Sequence, residues 1–397
     1  MVITMGEWKE CTLSDIGTIV GGATPSTKDI SNYENGDISW ITPKDLSGYD
    51  KRYISFGERN ITEKGLKSCS TQLMPPNTIL FTSRAPIGYV AIAEKELCTN
   101  QGFKSIIPND ETDFLFLYYL LKYNKNNIEN MGSGTTFKEV SANTMKNIVV
   151  KVPTNLDEQK KISSILGSLD DKIEENNKIN NNLLEQLFSL YNNLMSTSQD
   201  VQEVTLSSLC HFQEGYVNPS QSHPEYFDGD VKWLRAVDIN ESFIIDTSRT
   251  LTQVGFESAK KSALLFKPNT IAISKSGTIG RLGIVADYMC GNRAVINISP
   301  NTSEHLAFIY CFLKSKQQEF PDMAVGSVQR NLYVSLLEPL IVLIPSEKKL
   351  SDFNSTGTAL LNTIQNNCVE NIKLSSIRDS LLPKLMSGEI DVSTVNV

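Results

Sequence analysis

The residues that could carry out catalysis or bind a metal do not form a recognisable constellation in this chain. The three histidines, His211, His223 and His305, lack the spacing of metal ligands. Residues 275–278 read Lys-Ser-Gly-Thr, but the full phosphate-loop pattern is absent. There is also no Asn-Pro-Pro-aromatic motif and no glycine-rich cofactor loop after a strand. These residues therefore predict no catalytic constellation and no metal site.

The chain repeats itself after about 190 residues, which marks a duplicated domain rather than a short solenoid unit. Residues 36–40 (GDISW) return as 229–233 (GDVKW), and residues 76–79 (PNTI) return unchanged as 268–271. The Ile-Gly pair at 87–88 returns at 279–280. Two similar domains can present two similar surfaces, as a protein that recognises a two-part target requires.

Each repeat has the pattern of a mixed α/β domain. The predicted strands are 36–41, 77–82, 89–93 and 148–152 in the first repeat, and 229–234, 269–274, 281–285 and 340–344 in the second. Residues 114–123 and 305–316 have helical length and composition, and residues 83–88 and 275–280 form tips between strands. Pro153 and Pro345 end the last strands.

A long amphipathic segment follows each repeat. Its apolar residues alternate by three and four positions, the spacing of a coiled-coil seam. The first seam comprises Ile162, Leu166, Leu169, Ile173, Asn176, Asn180, Leu183, Leu187, Leu190 and Leu194. The second comprises Phe353, Gly357, Leu360, Ile364, Asn367, Asn371, Leu374, Arg378, Leu381 and Leu385.

Two arrangements could bury these seams. Each helix could pack on its own domain, or the two could pack on each other around a pseudo-twofold axis. The second arrangement predicts an antiparallel pair with Asn176 near Asn371 and Asn180 near Asn367. Because asparagine is a mediocre helix former, the Asn-rich run at 176–182 could instead break the helix.

Composition limits the possible environments and partners. The length of 397 residues suits two globular domains plus helices, and no apolar run is long enough for a membrane span or signal peptide. The seven cysteines show no Cys-x-x-Cys pair, and Cys98 and Cys290 occupy equivalent apolar positions. We predict reduced core thiols in a cytoplasmic protein. A net charge of −8 argues against tight binding to nucleic acid by the chain alone.

Three segments give the chain a strong resemblance to the specificity (S) subunits of type I restriction–modification systems. Residues 8–16 (WKECTLSDI) resemble the family's opening, residues 156–162 (LDEQKKI) its entry into the first conserved helix, and residues 381–390 (LLPKLMSGEI) its C-terminal signature. The second helix departs from the pattern, since residues 345–350 (PSEKKL) lack the Glu-Gln pair and Gly357 and Arg378 interrupt the seam.

The resemblance implies a protein that is not an enzyme by itself and binds no cofactor of its own. It also implies a division into four parts and a function for each. Target-recognition domains are expected at 1–157 and 199–346, each reading one half of a bipartite DNA site. Conserved helical regions are expected at 158–198 and 347–397, pairing as an antiparallel coiled coil that sets the spacer. The helices would bind two methyltransferase (modification) subunits, which use S-adenosylmethionine to methylate adenine, and restriction subunits could join the complex.

Polar side chains at loop tips are the candidates for contacts with DNA, because sequence is read at base edges. In the first domain they are Lys44, Ser83, Arg84, Gln101, Thr135, Thr136 and Lys138. In the second they are Arg235, Lys275, Ser276, Thr278, Arg293, Gln329 and Arg330. We single out Arg84, Lys275 and Arg293, since Arg or Lys to guanine is the commonest specific contact. The alternative for each residue is an ordinary surface or turn position.

Other functions stay open at this point. A nuclease or a fused methyltransferase would require motifs that the chain lacks. An adaptor that recruits partners through its coiled coil, without DNA, is compatible with the net charge. A specificity subunit that borrows the partners of another system is a further possibility.

Overall fold

The computed structural model describes residues 7–134, 138–326, 329–393 and 395. The chain divides into two compact units. Unit 1 comprises Met1–Glu174 and Leu374–Val397, and unit 2 comprises Glu175–Lys373. Each unit therefore contains one globular repeat together with part of each long helix.

Unit 1 is a mixed α/β domain. Its strands are β1 Trp8–Thr12, β2 Gly17–Gly21, β3 Ile38–Ile41, β4 Tyr53–Ile54, β5 Arg59–Ile61, β6 Ile79–Ser83, β7 Ile87–Ala93, β8 Cys98–Thr99, β9 Lys104–Pro108 and β10 Val149–Pro153. Its helices are α1 Leu13–Ile16, α2 Glu63–Lys67, α3 Phe114–Tyr123, α4 Lys125–Asn130, α5 Ala142–Lys146 and the start of α6, Leu156–Thr197, with 3-10 turns at Ile30–Asn32 and Pro43–Leu46.

Unit 2 repeats this order of elements. Its strands are β11 Gln202–Thr205, β12 Cys210–Glu214, β13 Phe227–Leu234, β14 Phe243–Ile244, β15 Thr250–Leu251, β16 Leu265–Phe266, β17 Thr270–Ser274, β18 Leu282–Val285, β19 Met289–Gly291, β20 Val295–Pro300 and β21 Ile341–Ile344. Its helices are α7 Leu206–Leu209, α8 Gln253–Glu257, α9 Leu306–Ser315, α10 Phe320–Met323, α11 Val334–Leu337 and most of α12, Glu347–Met386, with 3-10 turns at Pro224–Tyr226, Ala236–Asp238, Lys260–Ser262 and Ser303–His305.

The sheets of the two units have equivalent topology. The main sheet has the strand order β2-β9-β6-β7-β4 in unit 1 and β12-β20-β17-β18-β14 in unit 2. A smaller sheet, β5-β3-β8 or β15-β13-β19-β16, lies beside it, and a two-stranded pair, β1-β10 or β11-β21, closes each repeat. The duplication and the mixed α/β class predicted from the sequence are confirmed.

An apolar helix occupies the core of each unit. In α3 every residue from Phe116 to Leu121 is buried, and in α9 every residue from Leu306 to Leu313 is buried. The side chain of Asp113 caps α3 by accepting a hydrogen bond from the Phe116 N–H at 2.8 Å. A helix that is buried on every face must be packed between other elements, and here these elements are the main sheet and the long helices.

The repeated Ile-Gly pair has a structural reason. Gly88 and Gly280 have φ angles of +96° and +87°, a region that residues with a Cβ atom rarely adopt. A Cβ atom would also lie 2.6 Å from the Lys125 side chain in unit 1 and 3.0 Å from that of Phe320 in unit 2. The same tight turn after the tip is thus preserved in both repeats.

The equivalent cysteines are buried, unpaired thiols. Burial raises the pKa of both Cys98 and Cys290 to about 12. The thiolate, which is the reactive form, is therefore scarce near neutral pH. No helix among the described residues combines the length and the apolar character that a membrane span needs.

The two long helices pack against each other in antiparallel register within unit 2. The Asn176 amide donates to the Asn371 side-chain oxygen at 2.9 Å, and the Asn367 amide donates to the Asn180 oxygen at 2.8 Å. Farther along, Lys349 donates to the Thr197 carbonyl at 2.8 Å. The predicted asparagine pairs are confirmed, and the helix runs without a break through residues 176–182.

Gly357 does not interrupt α12, which is continuous over its 40 residues. Here a Cβ atom would lie 2.7 Å from that of Ala307 and 3.2 Å from the Leu187 side chain. The glycine permits close approach of α12 to α9 and α6. Aromatic rings join the same three helices, with centroids 5.6 Å apart for Tyr191 and Phe308 and 6.2 Å apart for Phe308 and Phe353.

In unit 1 a polar network joins the corresponding elements. Asp170 of α6, only 5% exposed, accepts a hydrogen bond from Tyr119 of α3 at 2.6 Å and from Arg378 of α12 at 2.5 Å. Burial and the Asp170 carboxylate raise the pKa of Tyr119, so its hydroxyl stays protonated and can donate. Arg378 therefore interrupts the apolar seam because it supplies the charge that a buried carboxylate needs.

A second ion pair ties the domain to α6. Arg52, with 6% of its side chain exposed, donates to Glu174 at 2.9 Å and also pairs with Asp171. Burial alone would lower the pKa of Arg52, but the hydrogen bonds to Glu174 and Asp171 outweigh it and the net direction is upward. The guanidinium therefore stays charged and links the globular domain of unit 1 to α6.

We predict that Arg378→Ala destabilises unit 1 by about 3 kcal/mol, because it leaves the Asp170 carboxylate buried without its cation. The double variant Asp170→Asn with Arg378→Met should recover most of this loss. The measurement is the denaturation midpoint of the purified chain. Lys384→Ala removes an exposed charge from the same helix and should change stability by no more than about 0.5 kcal/mol. Equal effects of Arg378→Ala and Lys384→Ala would contradict the prediction.

Candidate nucleic-acid interface

Four separate segments meet at one end of the main sheet in unit 1. The Ser83 N–H at the end of β6 donates to the Gly102 carbonyl at 2.7 Å, and the Val140 N–H donates to the Ser83 carbonyl at 3.0 Å. The Asn100 N–H donates to the Ile41 carbonyl at 3.0 Å. These contacts define the tip cluster of unit 1, which comprises residues 41–46, 83–88, 99–102 and 138–140.

Unit 2 forms the same junction with different side chains. The Lys275 N–H donates to the Ala294 carbonyl at 2.7 Å, the Leu332 N–H to the Lys275 carbonyl at 2.9 Å, and the Asn292 N–H to the Leu234 carbonyl at 2.9 Å. The tip cluster of unit 2 comprises residues 234–238, 275–280, 291–294 and 329–332. The loops that the sequence predicts to act together are therefore brought together in both units.

In each tip cluster, a turn stabilised by an asparagine side chain leaves one candidate DNA-contacting residue exposed to solvent. The Asn100 side chain accepts from the Gly102 N–H at 2.8 Å, and the Asn292 side chain accepts from the Ala294 N–H at 3.0 Å. The residues between them, Gln101 and Arg293, are exposed. Equivalent positions thus carry an amide in one unit and a guanidinium in the other, two different base-reading groups on one frame.

The other candidates of unit 1 differ in accessibility. Lys44 is exposed and paired with Glu58 at 2.6 Å. Arg84 is half-buried and lies 3.6 Å from Glu139. Lys138 is exposed. Thr135 and Thr136 lie outside the described residues.

Ser83 is not accessible, which corrects its place among the candidates. Its side chain is fully buried, and its hydroxyl donates to the Gly102 carbonyl at 3.2 Å. The Lys104 ammonium donates to the same hydroxyl at 3.4 Å. Ser83 therefore holds the junction of segments together, and its side chain cannot reach a base edge in this arrangement.

In unit 2, Ser276 is half-buried and Thr278 is exposed, at the turn after β17. Lys275 is mostly buried, with 14% of its side chain exposed, and pairs with Glu214 at 3.0 Å. Gln329 is exposed. Arg330 is exposed but its guanidinium donates to the Ala324 and Asp322 carbonyls at 3.0 and 3.1 Å, so part of it supports the loop.

Arg235 has a structural role in this arrangement. Its guanidinium donates to the Ser248 hydroxyl at 2.5 Å, lies 3.6 Å from the Asp238 carboxylate and stacks 5.7 Å from the Trp233 ring centroid. Three local partners hold the side chain at the start of the 3-10 turn. Base contact would require it to leave them.

Several residues in or beside the tip clusters are absent from the candidates that the sequence predicts. Exposed Tyr216, two residues after β12, donates to Glu214, and Thr24 donates to Gln101. Tyr333 lies beneath Lys275, with its ring centroid 4.8 Å from the ammonium. Lys104 and Glu139 form a pair at 3.4 Å. The roles of these residues depend on side-chain contacts that the sequence does not show.

Comparison with known proteins gives one consistent result. The family model for the type I restriction modification DNA specificity domain matches residues 5–185 and 198–368. The chain belongs to this family. It is 35% identical to the type I restriction enzyme MjaIX specificity subunit of Methanocaldococcus jannaschii, covering 97% of this chain and 94% of that protein. It is 23% identical to the HindI specificity subunit of Haemophilus influenzae, covering 97% and 100%.

The fold agrees with a solved specificity subunit. The crystal structure of the type I restriction–modification S subunit from M. genitalium matches with a TM-score of 0.58 at 20% identity, covering 97% of each chain. Specificity subunits are the non-catalytic DNA-recognition proteins of type I systems, and they act in complex with other subunits and with DNA. Among the described residues, no group of three or more His, Cys, Asp or Glu could hold a metal ion.

We predict that Arg293→Ala weakens recognition of one half-site by about 1–3 kcal/mol, the cost of losing one base contact. Arg293 is exposed and has no hydrogen bond or ion pair to the residues that the structure describes, so the fold should be unaffected. The measurement is specific DNA binding by the assembled complex, with thermal unfolding alongside. Lys261→Ala, which removes an exposed charge outside the tip cluster, is the control. Equal binding losses for the two variants would contradict a base-specific role.

Proposed function

We propose that each unit reads one half of a bipartite DNA site through its tip cluster. The observation that carries the proposal is the pair of equivalent junctions whose backbone contacts are the same and whose side chains differ. A rigid frame with variable polar tips is suited to base recognition, because the frame fixes position and the tips select the sequence. Different side chains on the two frames predict an asymmetric site.

We propose that the paired helices set the spacer between the half-sites and bind two methyltransferase subunits, one for each half of the chain. The antiparallel pairing supports this, because it gives the two halves equivalent helical surfaces. The methyltransferase subunits would supply S-adenosylmethionine and methylate adenine, and restriction subunits would join the complex. These partner subunits would also supply contacts to the DNA phosphates, since a chain with a net charge of −8 contributes little electrostatic attraction to DNA.

We propose that this complex acts in the cytoplasm. The described cysteines are free, and four of the seven, including Cys98 and Cys290, are buried. Unpaired thiols in this number are usual in a reducing compartment.

Co-expression with a methyltransferase subunit from the same genome, followed by sequencing-based mapping of methylated adenines, tests the proposed function. The expected result is a motif of two specified parts separated by a fixed unspecified gap. The matched control is the methyltransferase alone, which should leave this motif unmethylated. A continuous motif, or methylation that does not depend on the chain, would contradict the proposal.

We predict that specificity is modular. Replacing residues 20–150 with the matching segment of a relative should change one half of the methylated motif, because that segment carries the tip cluster of unit 1. The reciprocal exchange of residues 212–342 should change the other half only. Both exchanges are assayed by the same methylation mapping. If either exchange altered both halves, the assignment of one reader to each unit would be wrong.

A further inference from the structure

A carboxylate lies beside the basic tip residue in unit 2. Glu214, the last residue of β12, accepts from the Lys275 ammonium at 3.0 Å through one oxygen and from the exposed Tyr216 hydroxyl at 2.7 Å through the other. The hydrogen bond to Glu214 raises the pKa of Tyr216, which therefore remains a donor at neutral pH. A carboxylate has about four acceptor sites, so Glu214 keeps acceptor capacity beyond these two bonds.

Unit 1 has the same pairing of charges at its own tip. Glu139 lies 3.6 Å from Arg84 and 3.4 Å from Lys104, and its side chain is 40% exposed. The two carboxylates come from different segments. Glu214 is the last residue of the edge strand β12 of its main sheet, whereas Glu139 belongs to the segment that bridges back to Ser133.

The two carboxylates occupy positions that are not equivalent in the repeat, so they are not part of the backbone junction that both units share. In the repeat, Glu139 corresponds to Asn331 and Glu214 to Gly21, so neither position is acidic in both units. The junction of backbone segments is nevertheless the same in both. A carboxylate needed only to support that junction would be expected at one equivalent position, and these two are not.

The chemistry of the major groove gives such a pair a use. Adenine and cytosine present an exocyclic amino donor, whereas guanine and thymine present carbonyl acceptors at the corresponding positions. A carboxylate only accepts, and an ammonium or guanidinium only donates. An adjacent acceptor and donor therefore match an amino group that lies next to a base acceptor, and they repel a carbonyl placed at the amino position.

We propose that Glu214 is a specificity residue of unit 2 that accepts a hydrogen bond from the amino group of adenine or cytosine, with Lys275 donating to the neighbouring base acceptor. Glu139, beside Arg84, has the corresponding role in unit 1. The inference rests on the proposed function, since it assumes that the tip clusters contact base edges. Beyond the proposed function, it specifies that bases with an amino group are selected and bases with a carbonyl at that position are rejected.

The test compares wild type with Glu214→Gln in the complex co-expressed with the methyltransferase subunit, using methylation mapping. Glutamine has almost the same shape but both donates and accepts, so it tolerates either class of base. At one position of one half-site, discrimination against guanine and thymine should fall by about 5- to 150-fold, the range for one good base contact. The other half-site and the gap should not change.

Three further variants sharpen the result. Glu214→Asp keeps an acceptor-only group and should retain the wild-type base preference. Glu139→Gln should relax one position in the opposite half-site. Glu225→Gln makes the same chemical change at an exposed carboxylate of unit 2 that pairs with His223 rather than with a tip residue, and it should have no effect on the motif.

Each result shows whether Glu214 selects a base. A Glu214→Gln complex that keeps wild-type preference at every position overturns the inference, because the carboxylate is then only a support for Lys275. Loss of all methylation also overturns it, since a reading role predicts relaxed rather than abolished modification. If wild type itself gives no two-part motif, the proposed function fails as well, and that outcome is visible before any variant is compared.

Discussion

The structure depends on the antiparallel register of the two long helices, and buried asparagines set that register. Asn176 and Asn180 are 1% and 5% exposed, and their amides bond to partners on α12. A buried amide without a partner costs free energy, so a shift of the helices by one turn would be penalised. Apolar residues alone would permit several registers. Polar seam residues select one of them at some expense in stability.

The two units secure their domains to this helix pair by different means. Unit 2 uses packing, with the Tyr191, Phe308 and Phe353 rings and the close approach at Gly357. Unit 1 adds charge to the apolar packing of Ile162, Leu166 and Leu385, with Asp170 satisfied by Tyr119 and Arg378. Apolar packing is tolerant of substitution, whereas a buried ion pair is specific to its partners. The same architecture has therefore been kept while its supporting contacts diverged.

Sequence reasoning succeeded where the determinants are local and periodic. Heptad spacing predicted the asparagine pairs, since residues three and four apart share a helix face. It failed at Ser83, whose burial depends on residues 102 and 104 and cannot be inferred from a tip motif. Arg378 looked like a defect in the seam because its partner, Asp170, is 208 positions away. The internal repeat was sufficient to locate the tip loops. Tertiary contacts determine which of their side chains are accessible to DNA.

The proposal that the helix pair sets the spacer is tested most directly by lengthening both helices by one heptad, after Glu174 in α6 and after Lys373 in α12. These are the boundaries of the two units, and a heptad keeps the seam in phase. The insertion adds about 10 Å, or roughly three base pairs. Methylation mapping should find both half-sites unchanged and the gap between them longer by about three base pairs. A folded, active complex that retains the original gap would contradict the proposal.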